Sequence, residues 1–304
     1  MSKIVVVGSI NMDVVSLIAR HPRPGETIFG SNVKFIPGGK GSNQAVAASR
    51  LTDGVMLVGK LGKDAFGTAL HQFLQSENLN LEHLSFSDTA PSGTAIIAVD
   101  ENSENTIIVV SGSNFEISVE DVTPISIGAG DIVVAPFEVP QEALKAIFSR
   151  AKQAGASTVL NPAPAGPFID GLHELCDYLI VNETELAYFA GVETVSKEFD
   201  VIHEQAKKVQ KNEKQTIIVT LGSKGAVCLH GNNVYKIEGH KVNAVDTTGA
   251  GDCFTGALSV ALVEGRTLHD AIKFANVAAS LSVQKLGASD SLPHREQVET
   301  TLNS

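Results

Sequence analysis

The stretch Asp246-Thr-Thr-Gly-Ala-Gly-Asp252 sets a carboxylate at the end of a glycine-rich turn. Behind it Phe254, Ala257, Leu258, Ala261 and Leu262 recur at helical spacing, which predicts a helix starting near Ala250 or Gly251. A helix start carries unpaired backbone N–H groups and the positive end of the helix dipole, and glycine lets a bulky anion approach the backbone. Such a turn suits a phosphate. Asp252 would stand beside it, where a carboxylate is useful if a neighbouring group must lose a proton. An acidic residue in the first turn of an ordinary helix is the plainer alternative, and this stretch alone leaves it open.

A second glycine-rich turn, Pro37-Gly-Gly-Lys-Gly-Ser-Asn-Gln44, runs into an alanine-rich helix. Lys40 and Asn43 offer a cation and an amide to sugar or phosphate oxygens, although a plain helix start would use similar residues. Ser9, Asn11 and Asp13 follow the β-branched run Ile4–Val7, which predicts a strand buried on both faces at the centre of a parallel sheet. Ligands bind beyond the carboxyl ends of such strands, and a turn with Asx bonds is the alternative. An apparent P-loop at Gly54-Val-Met-Leu-Val-Gly-Lys-Leu61 lacks the Ser or Thr that would hold Mg²⁺, and its apolar centre reads as a strand.

The elements that would position these groups alternate. Strands are predicted over 132–135, 158–160, 178–181 and 216–220, helices over about 142–154 and 198–211, and an antiparallel edge over 226–229 and 234–237. Thr267-Leu-His-Asp270 resembles a capping box and opens a helix expected to run to about Lys285. Repeated strand-then-helix order predicts an α/β fold with a mostly parallel central sheet and helices on both faces. Two strand-rich stretches, roughly 14–36 and 85–110, interrupt that order and are expected to pair as a small β-sheet lid on one domain spanning 1–304.

Composition narrows the function classes. The 304 residues are 43% hydrophobic and 19% charged, as in globular proteins. No run approaches the ~18 apolar residues needed to cross a bilayer, and the apolar stretch near Met1 is too short for a signal peptide. No membrane association and a cytoplasmic location are therefore expected. A net charge of −11 argues against a nucleic-acid partner, yet it permits a nucleotide held by backbone donors. Cys176, Cys228 and Cys253 are odd in number and far apart, so they read as reduced core thiols, and the histidines form no zinc motif. No Gly-x-Gly-x-x-Gly follows Gly8, which weighs against a nicotinamide oxidoreductase, and no Gly-x-Ser-x-Gly elbow supports a serine hydrolase.

The strand end Gly8-Ser-Ile-Asn-Met-Asp13, the two glycine-rich motifs and Asn182-x-x-Glu185 together resemble the ribokinase family, the sugar kinases of the phosphofructokinase-B type, over nearly the whole chain. The resemblance implies a ribokinase-like fold and ATP-dependent phosphorylation of a sugar hydroxymethyl group, with Asp252 as base and the backbone of Gly249, Ala250 and Gly251 as anion hole. It implies that Asn11, Asp13, Gly39, Lys40, Asn43 and Glu138, with Asp252, hold the sugar. Asn182, Thr220, Gly222, Gly225 and Asn276 would hold the nucleotide, while Glu185 would help organise Mg²⁺ and phosphate. A K⁺ ion is implied near Asp246, Thr248, Ser282, Lys285, Gly287 and Ser291, and a homodimer through the lid. Pro37, and Pro136 and Phe137 before Glu138, depart from the family pattern.

Within the family the fit is closest to members that phosphorylate the 5-hydroxyl of ribose. Members acting on deoxyribose, fructose or a nucleoside are alternatives, and so is a non-catalytic sugar or nucleotide sensor, which would not require Asp252. Asn11 and Asp13 are one residue apart, and an amide plus a carboxylate match the donor and acceptor character of vicinal hydroxyls. Ribose has that pair and 2-deoxyribose lacks it. The resemblance further implies methionine at the position of Asn11 in the deoxyribose-phosphorylating members.

Overall fold

The computed structural model describes residues 3–303 except Ser103, Thr194 and Lys197. Strand β1 (Ile4–Val7) is buried along its whole length. The chain then leaves the main body as a hairpin of β2 (Asn11–Ile18) and β3 (Gly30–Gly38), and returns through helix α1 (Lys40–Ser49) and strand β4 (Val55–Gly62). Helix α2 (Ala65–Ser76) and short strands β5 (Leu79–Asn80) and β6 (Leu84–Ser87) follow. A second hairpin, β7 (Gly93–Val99) and β8 (Asn105–Val110), precedes the short helix α3 (Val119–Val122).

From there strand and helix alternate: β9 (Ile132–Pro136), α4 (Gln141–Ala154), β10 (Ser157–Asn161), β11 (Tyr178–Asn182), α5 (Glu183–Phe189), α6 (Phe199–Val209) and β12 (Thr216–Thr220). Two strands, β13 (Ala226–His230) and β14 (Asn233–Ile237), and three helices, α7 (Ala250–Val263), α8 (Leu268–Ser282) and α9 (Arg295–Leu302), complete the chain.

The main sheet has ten strands in the order β14-β13-β12-β11-β10-β9-β1-β4-β5, with β6 also on β4. It is parallel from β12 to β4, and β13 and β14 form the expected antiparallel edge. Alternation along β1 sorts the core. Ile4 and Val6 join the cluster that includes Ala47 of α1, Leu258 of α7 and Phe274 of α8, while Val5 and Val7 join Phe148 of α4 and Ile202 of α6 on the opposite face. Every parallel strand therefore sends its carboxyl end to one edge, which carries Ser9, Glu138, Asn161, Asn182 and Thr220.

The four-stranded second sheet, β3-β2-β7-β8, is the small β-sheet expected from the two excursions. Its bounds differ from the sequence reading. β2 begins at Asn11, because the polar residues after Gly8 go directly into pairing with β7 and β3. Leu84–Ser87 pairs with β4 of the main sheet, so the second excursion begins only at Gly93. Val33, Phe35, Ile96, Ile107 and Ile108 are each close to half exposed on the small sheet.

Four helices have no counterpart in the sequence reading, the one-turn α3 among them. α2 starts at Asp64, whose side chain accepts the Gly67 N–H, within a stretch interrupted by glycines. α5 starts at the capping box of Asn182 and Glu185, and α9 at one formed by His294 and Gln297. α8 ends at Ser282 rather than near Lys285, because the carbonyl of Val283 turns away to accept the N–H groups of Val245 and Asp246. The three cysteines are buried free thiols, and among the described residues no helix is long and apolar enough to cross a membrane.

Candidate active site

α7 packs against α1 because Gly256 leaves room: a Cβ there would lie 2.6 Å from the carbonyl oxygen of Gln44 and 2.8 Å from Cβ of Ala47. This approach brings the first turn of α7 to the first turn of α1, where Lys40, Asn43 and Gln44 share a face by their spacing. Asn43 Nδ2 donates to Asp252 Oδ2 at 3.2 Å, and Gln44 Nε2 donates to Asp252 Oδ1 at 3.0 Å. Gln44 Nε2 also reaches Asn161 Oδ1 at 3.4 Å, and Asn161 Nδ2 donates to the carbonyl of Ile180 at 3.0 Å. A chain of amides thus fixes Asp252 to the central sheet.

Asp252 is 6% exposed, and burial raises its pKa, opposed by the charge of Lys40 and the amides of Gln44 and Asn43. The Lys40 ammonium is held in its charged form first by Asp252 and then by Glu138, Glu185 and Asp13, against its own burial. Asp13 is pushed up to about 7 by burial and by the charges of Glu138 and Asp252, with Lys40 acting the other way. The site is anionic before any ligand arrives.

Glu138 closes the start of α1. Gly39 is the N-cap and has no side chain to offer, so Glu138 Oε2 accepts the Lys40 N–H at 3.1 Å and the Ser9 hydroxyl at 2.5 Å. Asn11 Oδ1 accepts from Asn114 Nδ2 at 2.7 Å. Ser9, Asn11, Asn114, Phe137 and Glu138 line a cavity of about 190 Å³. Lys40 and Asp252 themselves line a larger cavity of about 600 Å³. Asn182, Glu185, Thr220, Gly222, Gly225 and Asn276 line it together with Gly249, Ala250 and Gly251, a size and composition suited to a small organic ligand.

In that cavity Asn182 spends its oxygen on capping α5, accepting from Glu185 N at 2.8 Å, so its NH₂ group remains for a ligand. Glu185 accepts the Asn182 N–H at 2.9 Å, and burial raises its pKa despite that bond and Lys40. Thr220 Oγ1 donates to the carbonyl of Val181 at 3.4 Å, and Asn276 Nδ2 to that of Glu238 at 3.3 Å.

The residues expected around a monovalent cation lie outside the lining of both cavities. Asp246 ties their loops: Oδ1 accepts the Thr248 N–H at 2.9 Å and its hydroxyl at 2.7 Å, and Oδ2 accepts the Gly287 N–H at 2.9 Å. Burial works against this carboxylate, but those bonds hold its pKa below the usual range. Ser282 and Ser291 are buried with their hydroxyls donated to the carbonyls of Ala279 and Ala288, and the exposed Lys285 offers a cation only its carbonyl. Among the described residues no group of three or more His, Cys, Asp or Glu side chains could hold a metal ion.

Sequence reasoning passed over Gln44, Asn114, Asn161 and Ser289 as site residues, and singled out Ser9 only as a polar residue beyond the first strand. Ser289 Oγ lies 2.9 Å from Asn43 Oδ1 and 3.0 Å from the carbonyl of Pro37. Asn161 carried a usable signal, a polar residue at a strand's carboxyl end, and Gln44 sits within the glycine-rich motif. Asn114 and Ser289 lie in short irregular turns whose partners are more than 100 residues away, so nothing local marks them.

The model of the pfkB family carbohydrate kinases matches residues 1–295. A ribokinase from Haemophilus influenzae is 36% identical over 294 residues, covering 96% of this chain and 95% of its own. A deoxyribokinase from Salmonella typhi is 33% identical, with 99% and 98% covered. The structure of Arabidopsis thaliana ribokinase complexed with ribose and ATP superposes with a TM-score of 0.90 at 33% identity, covering 100% of both chains.

Burial of Asp13 among other carboxylates has a measurable consequence. In carboxyl ¹³C NMR of the ligand-free protein, Asp13 is expected to titrate near pH 7, neutral below and anionic above. Lys40→Met should move the midpoint further up and Glu138→Gln should move it down. A midpoint near the ordinary aspartate value of about 4 would refute this electrostatic description.

Proposed function

Because the chain belongs to the pfkB family of carbohydrate kinases, we propose that it transfers the γ-phosphoryl group of ATP to the 5-hydroxyl of D-ribose, giving ribose 5-phosphate. The observation that carries this reading is the position of Asp252, buried at the first turn of α7 and lining, with Lys40, the cavity of about 600 Å³ that Asn182, Thr220 and Asn276 also line. A nucleotide in that cavity and a sugar held beside Asn11 and Glu138 would meet at that carboxylate.

In this reading Asn11, Asp13, Gly39, Lys40, Asn43 and Glu138 hold the sugar, and Asn182, Thr220, Gly222, Gly225 and Asn276 hold the nucleotide. Phosphoryl transfer passes through a loose transition state, so alignment and charge stabilisation dominate catalysis. The N–H groups at Gly249, Ala250 and Gly251 receive the developing charge, while Lys40 offsets some of the repulsion between the phosphates and the site's carboxylates. Asp252 orients the hydroxyl and accepts its proton late. Its raised pKa makes it a better base than an exposed aspartate. The amides of Asn43 and Gln44 keep its oxygens aimed.

Mg²⁺ fits the donor set in one way: with no ligand cluster among the described residues, it would take its oxygens mainly from phosphates and water, with Glu185 near. It would supply charge neutralisation on the transferred group. For K⁺, the three bonds accepted by Asp246 leave it charged with one free lone-pair position, which together with loop carbonyls suits a weakly held monovalent ion. The sugar preference rests on Asn11. A polar amide at that position favours ribose over the 2-deoxy sugar that the Salmonella typhi relative is named for. Phe35, Ile96 and Ile108, half exposed and on one face of the small sheet by their register, support its pairing with a second copy as a lid-to-lid homodimer.

Asp252→Asn is expected to lower kcat for ribose at least about a hundredfold while ATP affinity stays within about tenfold, read by ADP release and nucleotide titration. Retention of more than about a hundredth of the activity would remove Asp252 as the base. Replacing K⁺ with Na⁺ or a bulky organic cation at constant Mg²⁺ should slow turnover by at least about threefold, and equal rates in all three would eliminate the cation site. Sedimentation at micromolar concentration should give a dimer that Ile108→Glu converts to monomer; a wild-type monomer would rule out the lid interface.

A further inference from the structure

The amide of Asn11 has one orientation open to it, and a residue outside the glycine-rich motifs sets that orientation. Asn114 is buried in the turn that follows β8. Its Oδ1 accepts the backbone N–H of Ile10 at 2.9 Å. A backbone N–H can only donate, which identifies the opposite end of the Asn114 amide as the NH₂ group. That group donates to the carbonyl of Ile10 at 3.2 Å and to Asn11 Oδ1 at 2.7 Å. Asn11 therefore turns its oxygen to Asn114 and keeps its NH₂ group for a ligand in the cavity both residues line with Ser9 and Glu138. The two amides can meet because position 93 is glycine. A Cβ there would stand 2.1 Å from Asn114 Nδ2 and 2.2 Å from Asn11 Oδ1.

We propose that Asn114 is a specificity-setting positioning residue: by fixing Asn11 with its NH₂ outward, it makes that point of the sugar site a donor, which a C2 hydroxyl can satisfy and a C2 methylene cannot. The proposal rests on the ribose reading given above. A hydroxyl carries one proton. When the carboxylate of Asp13 takes that proton, the hydroxyl's lone pairs still need a donor, and an outward NH₂ supplies it. The reversed amide would set two acceptors against one proton. With the 2-deoxy sugar the NH₂ group loses its partner in a buried setting, which is the larger penalty in such comparisons. Gly93, the β2–β7 register pair Asn11 and Gly93, and the turn after β8 all converge on this contact, so the joints of the small sheet are where the sugar is read.

The test is steady-state kinetics with ribose and 2-deoxyribose at pH 8.5, where Asp13 is anionic, on wild type, Asn114→Asp, Asn114→Ala, Asn11→Ala and the Asn11→Ala, Asn114→Ala double variant. Asn114→Asp keeps the acceptor for Ile10 and loses the donor to Asn11. It should lower kcat/KM for ribose about tenfold, mainly through KM, and that for 2-deoxyribose by less than about threefold, with KM for ATP within about twofold. Once Asn11 is alanine, removing Asn114 should leave the ratio between the sugars where Asn11→Ala put it. Equal losses for both sugars in Asn114→Asp, or a ratio that falls further in the double variant, would make Asn114 a packing residue and overturn the proposal while the ribose reading stands. Equal kcat/KM for the two sugars in wild type would overturn both. Should Asn114→Ala fold poorly, the near-isosteric Asn114→Asp and its unchanged ATP KM carry the decision.

Discussion

A buried carboxylate at the start of a helix is the constraint on which the rest depends. Asp252 is charged chemistry placed where water is nearly absent, and such a group persists only if donors and a cation surround it. The donors come from α1, the cation is Lys40 at the same end of α1, and the close approach of α1 and α7 exists through Gly256. The doubly wound sheet supports both helices on one face and delivers Asn161, Glu138 and Asn182 to their ends. Layer architecture, glycine placement and charge pairing therefore solve one problem together.

The electrostatic balance around Lys40 sets how that site treats its ligands. Asp252, Glu138, Glu185 and Asp13 all act on one ammonium, and burial, with the neighbouring carboxylates adding to it, raises the pKa of Asp13 and of Glu185. An incoming nucleotide adds more negative charge. Helix-end N–H groups at α7 and counter-ions that travel with the phosphates are then needed to balance it, which is why a kinase can work inside a chain whose own net charge is −11.

Much of this was legible in the chain. Val5-Val-Val7 and its parallel partners are runs too apolar to be anything but central strands, and the two glycine-rich turns lead into helices at the residues their spacing indicates. The double excursion into β structure was also readable, because proline and glycine rule out helix there and β-branched residues favour pairing. Legibility ended where a residue's role depends on a partner far along the chain. The family resemblance implies Glu138 as a sugar ligand, yet it also accepts the first N–H of α1, a contact 98 residues away in sequence. Asn114 has no periodic context, and its significance lies wholly in Ile10, Asn11 and the empty space at Gly93.

The terminal segment is stitched into the opening of the chain. Arg50, just past α1, gives two hydrogen bonds to the carbonyls of Ser289 and Leu292, its own carbonyl accepts the Arg295 N–H, and Ser289 reaches Asn43. Asp246 and Gly287 join the loops that bracket α7 and α8. On the ribosome, the amino-terminal half of this site is made first, and Asn43 waits 209 residues for Asp252 and 246 for Ser289. Assembly of the candidate active site is thus a late event of synthesis, and a nascent polypeptide that stops short of Ser289 has the amides that aim Asp252 but not the hydroxyl that steadies Asn43.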